Sequence, residues 1–106
     1  MEDGPIVTVF RSRLRPDANE RGYGPLAALM EARARAMPGF VDFKGFSAPD
    51  GERVSIIVFD TLEHQAAWRD DPEHREAQRR GREELYEEYS LSVCRQLRRS
   101  GSRPGR

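Results

Sequence analysis

Two segments of this chain are rich in β-branched residues and carry apolar side chains on both of their faces. The segment at residues 5–14 reads PIVTVFRSRL, and the segment Arg53–Asp60 reads RVSIIVFD. A strand with one face in water alternates apolar and polar residues, so strands without that alternation are expected to be covered on both faces. This feature favours a sheet that has helices on one side and a further protein layer on the other.

Helical patterns alternate with strand patterns along the rest of the chain. Pro38 and Gly39 stop the first helix, Asp60 is expected to cap the second, and Asp71-Pro72 begins the third. In chain order the predicted elements are a strand at 5–14, a helix that begins between Asn19 and Pro25 and ends at Met37, strands Phe40–Ser47 and Arg53–Asp60, a helix from Asp60 to about Arg69, a helix from Pro72 to about Tyr89, and a strand Leu91–Leu97.

This β-α-β-β-α(α)-β order is the ferredoxin-like arrangement, an α+β sandwich with helices on one face of an antiparallel sheet. The two-sided apolar strands then require a second sheet on the open face, which predicts a homodimer. Residues 1–98 form the predicted domain. Residues 99–106 are basic and rich in Gly, Ser and Pro, and are expected to be disordered.

Charge and composition exclude several classes of protein. The chain has 18 Lys+Arg and 18 Asp+Glu, so a nucleic-acid partner held by bulk positive charge is not expected. No apolar run is long enough for a membrane span, and the acidic N-terminus lacks the apolar region of a secretory signal. Cys94 has no cysteine partner, and the two histidines have no ligand-spaced partner, so no metal site is predicted. A cytoplasmic location is expected.

The third predicted helix carries the most informative pattern. At 100° per residue, one stripe holds His74, Gln78, Leu85 and Tyr89. The stripe is polar at its N-terminal end and apolar at its C-terminal end, a pattern typical of a cavity lining. The alternative is that His74 is half exposed in the first turn and hydrogen-bonded to the cap.

Other candidate side chains have a functional and a structural interpretation each. Trp68 could stack on a planar ligand, or it could belong to the core. Arg33 falls near the centre of the apolar stripe of the first helix, where it either meets an acidic group or holds an anionic oxygen in a pocket. Tyr86 is expected at the sheet edge or against a partner chain.

Several motifs carry a family resemblance. The sequence reads MPGF at Met37–Phe40, WRDDPEHREAQ at Trp68–Gln78, GREELY at Gly81–Tyr86 and YSLSVC at Tyr89–Cys94. Over about residues 5–98 it resembles the antibiotic biosynthesis monooxygenase family. The resemblance implies a dimeric α+β barrel, in which two ferredoxin-like sheets pack face to face.

The resemblance also implies an activity. Family members include small oxygenases that use dioxygen to oxidise polycyclic phenols or anthrones to quinones without metal or flavin, in a site between the helices and the sheet. On this interpretation Trp68 and His74 are the catalytic candidates, with His74 as base or hydrogen-bond donor. The substrate-binding candidates are Phe10, Gln78, Arg33, Leu85 and Tyr89, and no cofactor is expected.

Two alternatives stay open. A sister branch of the family degrades haem and uses a first-strand Asn, a Trp and a His ten residues after the Trp. Here Trp68 matches, but Gln78 replaces the His and Phe10 replaces the Asn, so haem is disfavoured as a cofactor. The other alternative is a dimeric small-molecule-binding protein without turnover.

Overall fold

A computed structural model describes residues 4–102 and shows a four-stranded antiparallel sheet with three helices on one side. The elements are β1 (Ile6–Leu14), α1 (Tyr23–Ala36), β2 (Phe40–Ser47), β3 (Arg53–Phe59), α2 (Leu62–Arg69), α3 (Pro72–Arg80), a π-helical turn (Gly81–Leu85) and β4 (Tyr86–Arg95). The strand order is β2-β3-β1-β4. The predicted ferredoxin-like α+β fold is confirmed.

The caps of the two short helices follow local chemistry. The Asp71 side chain accepts a hydrogen bond from the backbone N–H of His74 at 3.1 Å, and Pro72 begins α3, as predicted. The cap predicted for α2 was wrong by one residue, because the Thr61 hydroxyl accepts from the backbone N–H of His64 at 3.1 Å. Asp60 contacts the His64 ring instead, at 2.6 Å.

The predicted extension of the third helix to Tyr89 is wrong. The α-helix ends at Arg80, and one π-helical turn leads into β4 at Tyr86. The Leu85 carbonyl accepts a 2.8 Å hydrogen bond from Arg15, and Tyr86 pairs with Leu14 of β1. This pairing overrides the helical propensity of the GREELYEEY segment. Tyr89 is therefore a strand residue, and β4 begins five residues before the predicted strand.

The core lies between the helices and the central strands. Ala34, Ile57, Phe59 and Trp68 form one buried cluster, with Met37, Phe40 and Phe43 packed against it. The helices contact β2 and β3, whereas edge strand β4 leaves its helix-side residues about half exposed. This asymmetry leaves space beneath the helices at the β1–β4 end of the sheet.

The outer face of the sheet has an apolar centre. Its residues Val7, Val9, Val54, Ile56 and Val58 are all only half-buried. The two-sided apolar pattern predicted for β1 and β3 is therefore present, with helices over one face only. The homodimer stays a prediction.

Within residues 4–102 no helix has the length and apolar character that crossing a bilayer requires. Of the predicted tail, residues 99–102 are exposed and have no helix or strand. Residues 103–106 of that tail, and residues 1–3 of the acidic N-terminus, lie outside the described part of the chain.

Candidate active site

A cavity of about 280 Å³ lies between the helix side of the sheet and helices α1 and α3. Ligand sites commonly measure about 300–1,000 Å³, so this cavity is close to the lower limit of that range and suits a small molecule. The lining residues are Thr8, Phe10 and Ser12 of β1; Tyr23, Leu26, Ala27, Ala28, Met30 and Glu31 of α1; Phe43 and Gly45 of β2; Arg53, Ser55 and Ile57 of β3; Trp68, His74, Ala77, Gln78 and Arg82 of the following helical segments; and Tyr86, Tyr89 and Leu91 of β4.

His74 and Trp68 form one wall of the cavity as a stacked pair. Their ring centroids are 4.1 Å apart and their planes differ by 25°. Both residues are buried, with 8% and 5% exposure, and the Phe59 ring supports the indole at 5.5 Å. The Asp71 cap fixes the first turn of α3 and with it the position of His74. The imidazole covers one face of the indole, so Trp68 offers the cavity its edge more than its face.

Three polar atoms in the cavity wall have no hydrogen-bond partner among residues 4–102. They are Thr8 Oγ1, Trp68 Nε1 and His74 Nδ1, and all three atoms are buried. Burying an unpaired polar group costs about 1–3 kcal/mol, and such groups are rare in folded proteins. Two potential hydrogen-bond donors and one imidazole nitrogen are therefore unpaired beside the cavity, within the described residues.

Burial lowers the pKa of His74 below its ordinary value of 6.5. The backbone carbonyls of Arg69 and Trp68 and the charge of Asp71 oppose this shift, because each favours the protonated ring. Desolvation is the largest effect, so the imidazole is neutral at pH 7. A neutral imidazole in an apolar cavity can accept a proton from a bound phenol.

The opposite end of the cavity holds an aromatic cluster. Phe10, Tyr86 and Tyr89 lie with ring centroids 5.3–6.1 Å apart. Burial raises the pKa of Tyr86 to about 12, so its phenol stays neutral. A Cβ at Gly81 would overlap the Tyr86 ring, which means that the glycine leaves the room this ring occupies.

Five of the seven predicted site residues line this one cavity: Phe10, Trp68, His74, Gln78 and Tyr89. Tyr89 reaches it from β4 and not from the predicted helix. The other two do not line it. Leu85 is fully buried elsewhere in the core. Arg33 pairs with Asp71 and Glu73, so the expectation that it meets an acidic group is the one the structure supports.

Most lining residues carry no sequence prediction of a site role, and Thr8, Arg53 and Tyr86 are three of them. A signal existed for the first two, because Thr8 alternates in phase with Phe10, and Arg53 with Ile57, so each points to the helix side. Tyr86 was assigned to the sheet edge because the preceding helix was extended past its true end.

Comparisons with known proteins agree with this architecture. A family model described as antibiotic biosynthesis monooxygenase matches residues 5–80. The uncharacterised protein YqjZ of Bacillus subtilis is 30% identical over 91 residues, which cover 86% of this chain and 79% of that protein.

Two solved structures share the fold. Rv0793 of Mycobacterium tuberculosis has a TM-score of 0.80 at 21% identity, covering 92% of this chain and 100% of that one. A variant of SnoaB, described as a cofactor-independent oxygenase from Streptomyces nogalater, has a TM-score of 0.70 at 21% identity, covering 88% of this chain and 95% of that one. At this level of identity the likeness concerns the fold.

Proposed function

The chain belongs to the antibiotic biosynthesis monooxygenase family, and we propose that it is a cofactor-independent oxygenase for a flat phenolic or quinol-type small molecule. The observation that carries this proposal is the stacked Trp68–His74 pair in the cavity wall, with the imidazole neutral. The description of SnoaB as a cofactor-independent oxygenase supports the same class of reaction.

In the proposed reaction, the neutral His74 imidazole accepts the phenolic proton and the resulting phenolate reduces dioxygen by one electron. The substrate radical and superoxide combine to form a C–O bond at the ring carbon opposite the phenolic oxygen. The O–O bond then breaks, and that carbon loses its hydrogen as the second oxygen atom leaves in water. One phenol and one dioxygen thus give one quinone and one water, and the proton held by His74 is returned.

The remaining wall residues have supporting roles in this proposal. The Thr8 hydroxyl and the Trp68 N–H donate hydrogen bonds to the developing phenolate oxygen, which stabilises the charge where it forms. Phe10 and Tyr89 supply apolar surface for the flat rings, and Gln78 orients a second substrate oxygen. Arg33 does not line the cavity and acts through its ion pairs with Asp71 and Glu73.

The proposal includes a homodimer that forms through the outer face of the sheet. The half-buried valines and isoleucine of β1 and β3 support it, because an apolar sheet centre is stabilised by a second layer. A cytoplasmic location stays a prediction.

Oxygen uptake tests the oxygenase proposal. Wild-type protein with a panel of anthrones and of phenols that carry a hydrogen opposite the phenolic oxygen is expected to consume oxygen above the spontaneous rate and to form the quinone. His74→Gln should lower kcat by about 10²–10⁴-fold, the usual effect of removing a general base. His64→Gln is the matched control, because His64 pairs with Asp60 and does not line the cavity.

Other results would assign the protein differently. Saturable binding of these compounds with no uptake above the spontaneous rate would make the chain a binding protein without turnover. A Soret band on addition of haem that disappears in His74→Ala would indicate a haem-binding member instead.

A further inference from the structure

Arg53 is a charged residue at the end of the cavity remote from His74. It begins β3 and is in register with Ser12 of β1 and Ser47 of β2, which places it on the helix side of the sheet. Its guanidinium lies 5.5 Å from the centre of the Tyr23 ring. Within residues 4–102 it has no carboxylate oxygen within 4.0 Å. Its charge therefore faces the cavity mouth without a counter-ion.

The carboxylates nearest in sequence or in the lining are paired with other arginines. Glu52 pairs with Arg11 at 2.8 Å, and Glu31 of the cavity wall pairs with Arg35 at 2.9 Å. The buried Tyr86 phenol is neutral, because its pKa is about 12, and adds no negative charge. The Arg53 charge is thus not neutralised by its surroundings.

Arg82 is a second arginine in the cavity lining. Within the described residues it too has no carboxylate within 4.0 Å. Its neighbour Glu83 pairs with Arg79 at 3.0 Å. Two exposed guanidinium groups therefore line the cavity, whereas the unpaired buried atoms around His74 are uncharged.

The strand register gives the distance between the Arg53 end of the cavity and the wall near His74. Arg53 pairs with Ser12, and Ile57 beside the buried wall pairs with Thr8. Four residues of extended strand separate Thr8 from Ser12, a distance of about 13 Å. A planar molecule of fused rings can span that distance with one oxygen beside Thr8 and another substituent beside Arg53.

We propose that Arg53, assisted by Arg82, binds a carboxylate on the substrate, so that the ligand of this cavity is an anionic flat aromatic. The planar guanidinium fork matches a carboxylate in a two-point hydrogen bond, which an amide cannot reproduce. The assignment of the reactive ring to the His74 end rests on the proposed function. The carboxylate site itself concerns binding alone.

Equilibrium binding without turnover tests the site. Trp68 is the only tryptophan of the chain and lines the cavity, so quenching of its fluorescence reports occupancy. The probes are an anthraquinone carboxylate and its neutral carboxamide, which have the same ring system. Wild-type protein should bind the carboxylate about tenfold more tightly, the size of a charge-assisted hydrogen bond that remains partly solvated.

Substitutions of single arginines test which residue causes the tighter binding of the carboxylate probe. Arg53→Gln should bind both probes equally, Arg53→Lys should keep part of the preference, and Arg82→Gln should reduce it. Arg75→Gln is the control, because Arg75 is an exposed arginine of α3 outside this cavity, and it should leave the preference unchanged. Circular dichroism of each variant checks the fold.

Two results would overturn the proposal: equal binding of both probes by the wild type, or a preference that persists in Arg53→Gln. A preference that depends on Arg53, together with no oxygen uptake on any phenol, would keep the carboxylate site and remove the oxygenase proposal. Oxygen uptake on neutral phenols, with equal binding of the carboxylate and carboxamide probes, would keep the oxygenase proposal and remove the carboxylate site.

Discussion

At the scale of single residues, burial determines the charge of His74. The imidazole is buried between Trp68 and the cavity, and desolvation lowers its pKa below 6.5. In the unfolded chain the same ring takes up a proton near pH 6.5, while in the folded chain it does not. The free energy of unfolding therefore decreases as the pH falls below about 6.5.

This linkage gives a pH-dependent prediction. Above about pH 6.5 both states are neutral at His74 and the free energy of unfolding does not depend on it. As the pH falls from 6.5 towards the lower folded pKa, the unfolded state binds a proton first, so stability decreases. Urea denaturation at several pH values should show this loss in wild type and in His64→Gln. An equally steep loss in His74→Gln would contradict the assignment.

A second prediction concerns Gly81. The Tyr86 ring occupies the space where a Cβ would lie, so Gly81→Ala forces this ring towards the cavity. We expect a destabilisation of about 1–3 kcal/mol from overpacking and weaker binding of aromatic probes. Gly24→Ala is the control, because a Cβ there meets no atom within 4 Å. Unchanged stability and binding in Gly81→Ala would show that the Tyr86 ring lies elsewhere.

Site residues were predictable where periodicity alone places a side chain. His74 and Gln78 were predictable because the cap at Asp71 fixes the phase of α3, and Trp68 of α2 was predictable from its motif. The phase of β1 places Thr8 on the helix side, but only the missing partner of its hydroxyl separates it from a core residue. Arg33 was ambiguous because only tertiary packing brings Asp71 to it.

At the scale of secondary-structure elements, Arg33 joins α1 to the start of α3 through ion pairs with Asp71 and Glu73. The buried Asp71 accepts from the His74 backbone with one carboxylate oxygen and pairs with Arg33 through the other. The Arg33 guanidinium lowers the pKa of Asp71, so this carboxylate is ionised. The cap of α3, and hence the position of His74, therefore depends on a contact with α1.

Asp71→Ala should consequently affect both stability and the active site. Loss of the cap costs about 1–2 kcal/mol, and the variant also leaves Arg33 without its buried partner. Thr61→Ala removes the matching cap of α2 without breaking an ion pair, so its loss of stability should be smaller. Oxygen uptake should fall in Asp71→Ala well beyond the fall in Thr61→Ala. Equal losses of stability and oxygen uptake in the two variants would show that Asp71 acts only as a helix cap and that its ion pair adds nothing.

The predicted and observed ends of the elements show which boundaries local sequence patterns can determine. β1 to β3 were predicted within one residue of their observed ends, because β-branched runs bounded by Gly and Pro identify strands locally. The junction at Gly81–Tyr86 was wrong, since it is determined by pairing with Leu14, about seventy residues earlier in the chain. Such long-range pairing is invisible to a window of neighbouring residues.

At the scale of the whole molecule, the two faces of the sheet differ in what covers them. Helices and the cavity occupy one side. The other side has an apolar centre on β1 and β3, flanked by polar residues of β4 such as Ser90 and Ser92. An apolar centre with a polar rim is the usual composition of an interface between subunits.

The predicted homodimer can be tested on this face. Wild-type protein is expected to sediment at micromolar concentration at twice the 12.2 kDa chain mass. Ile56→Lys places a charge at the centre of the apolar patch and should give the single-chain mass with little loss of the protomer fold, because Ile56 is only half-buried there. Ala32→Lys, on the exposed face of α1, should leave the dimer intact. A wild-type protein that sediments only as the 12.2 kDa species, or a dimer that survives Ile56→Lys, would show that the outer sheet face is not the interface.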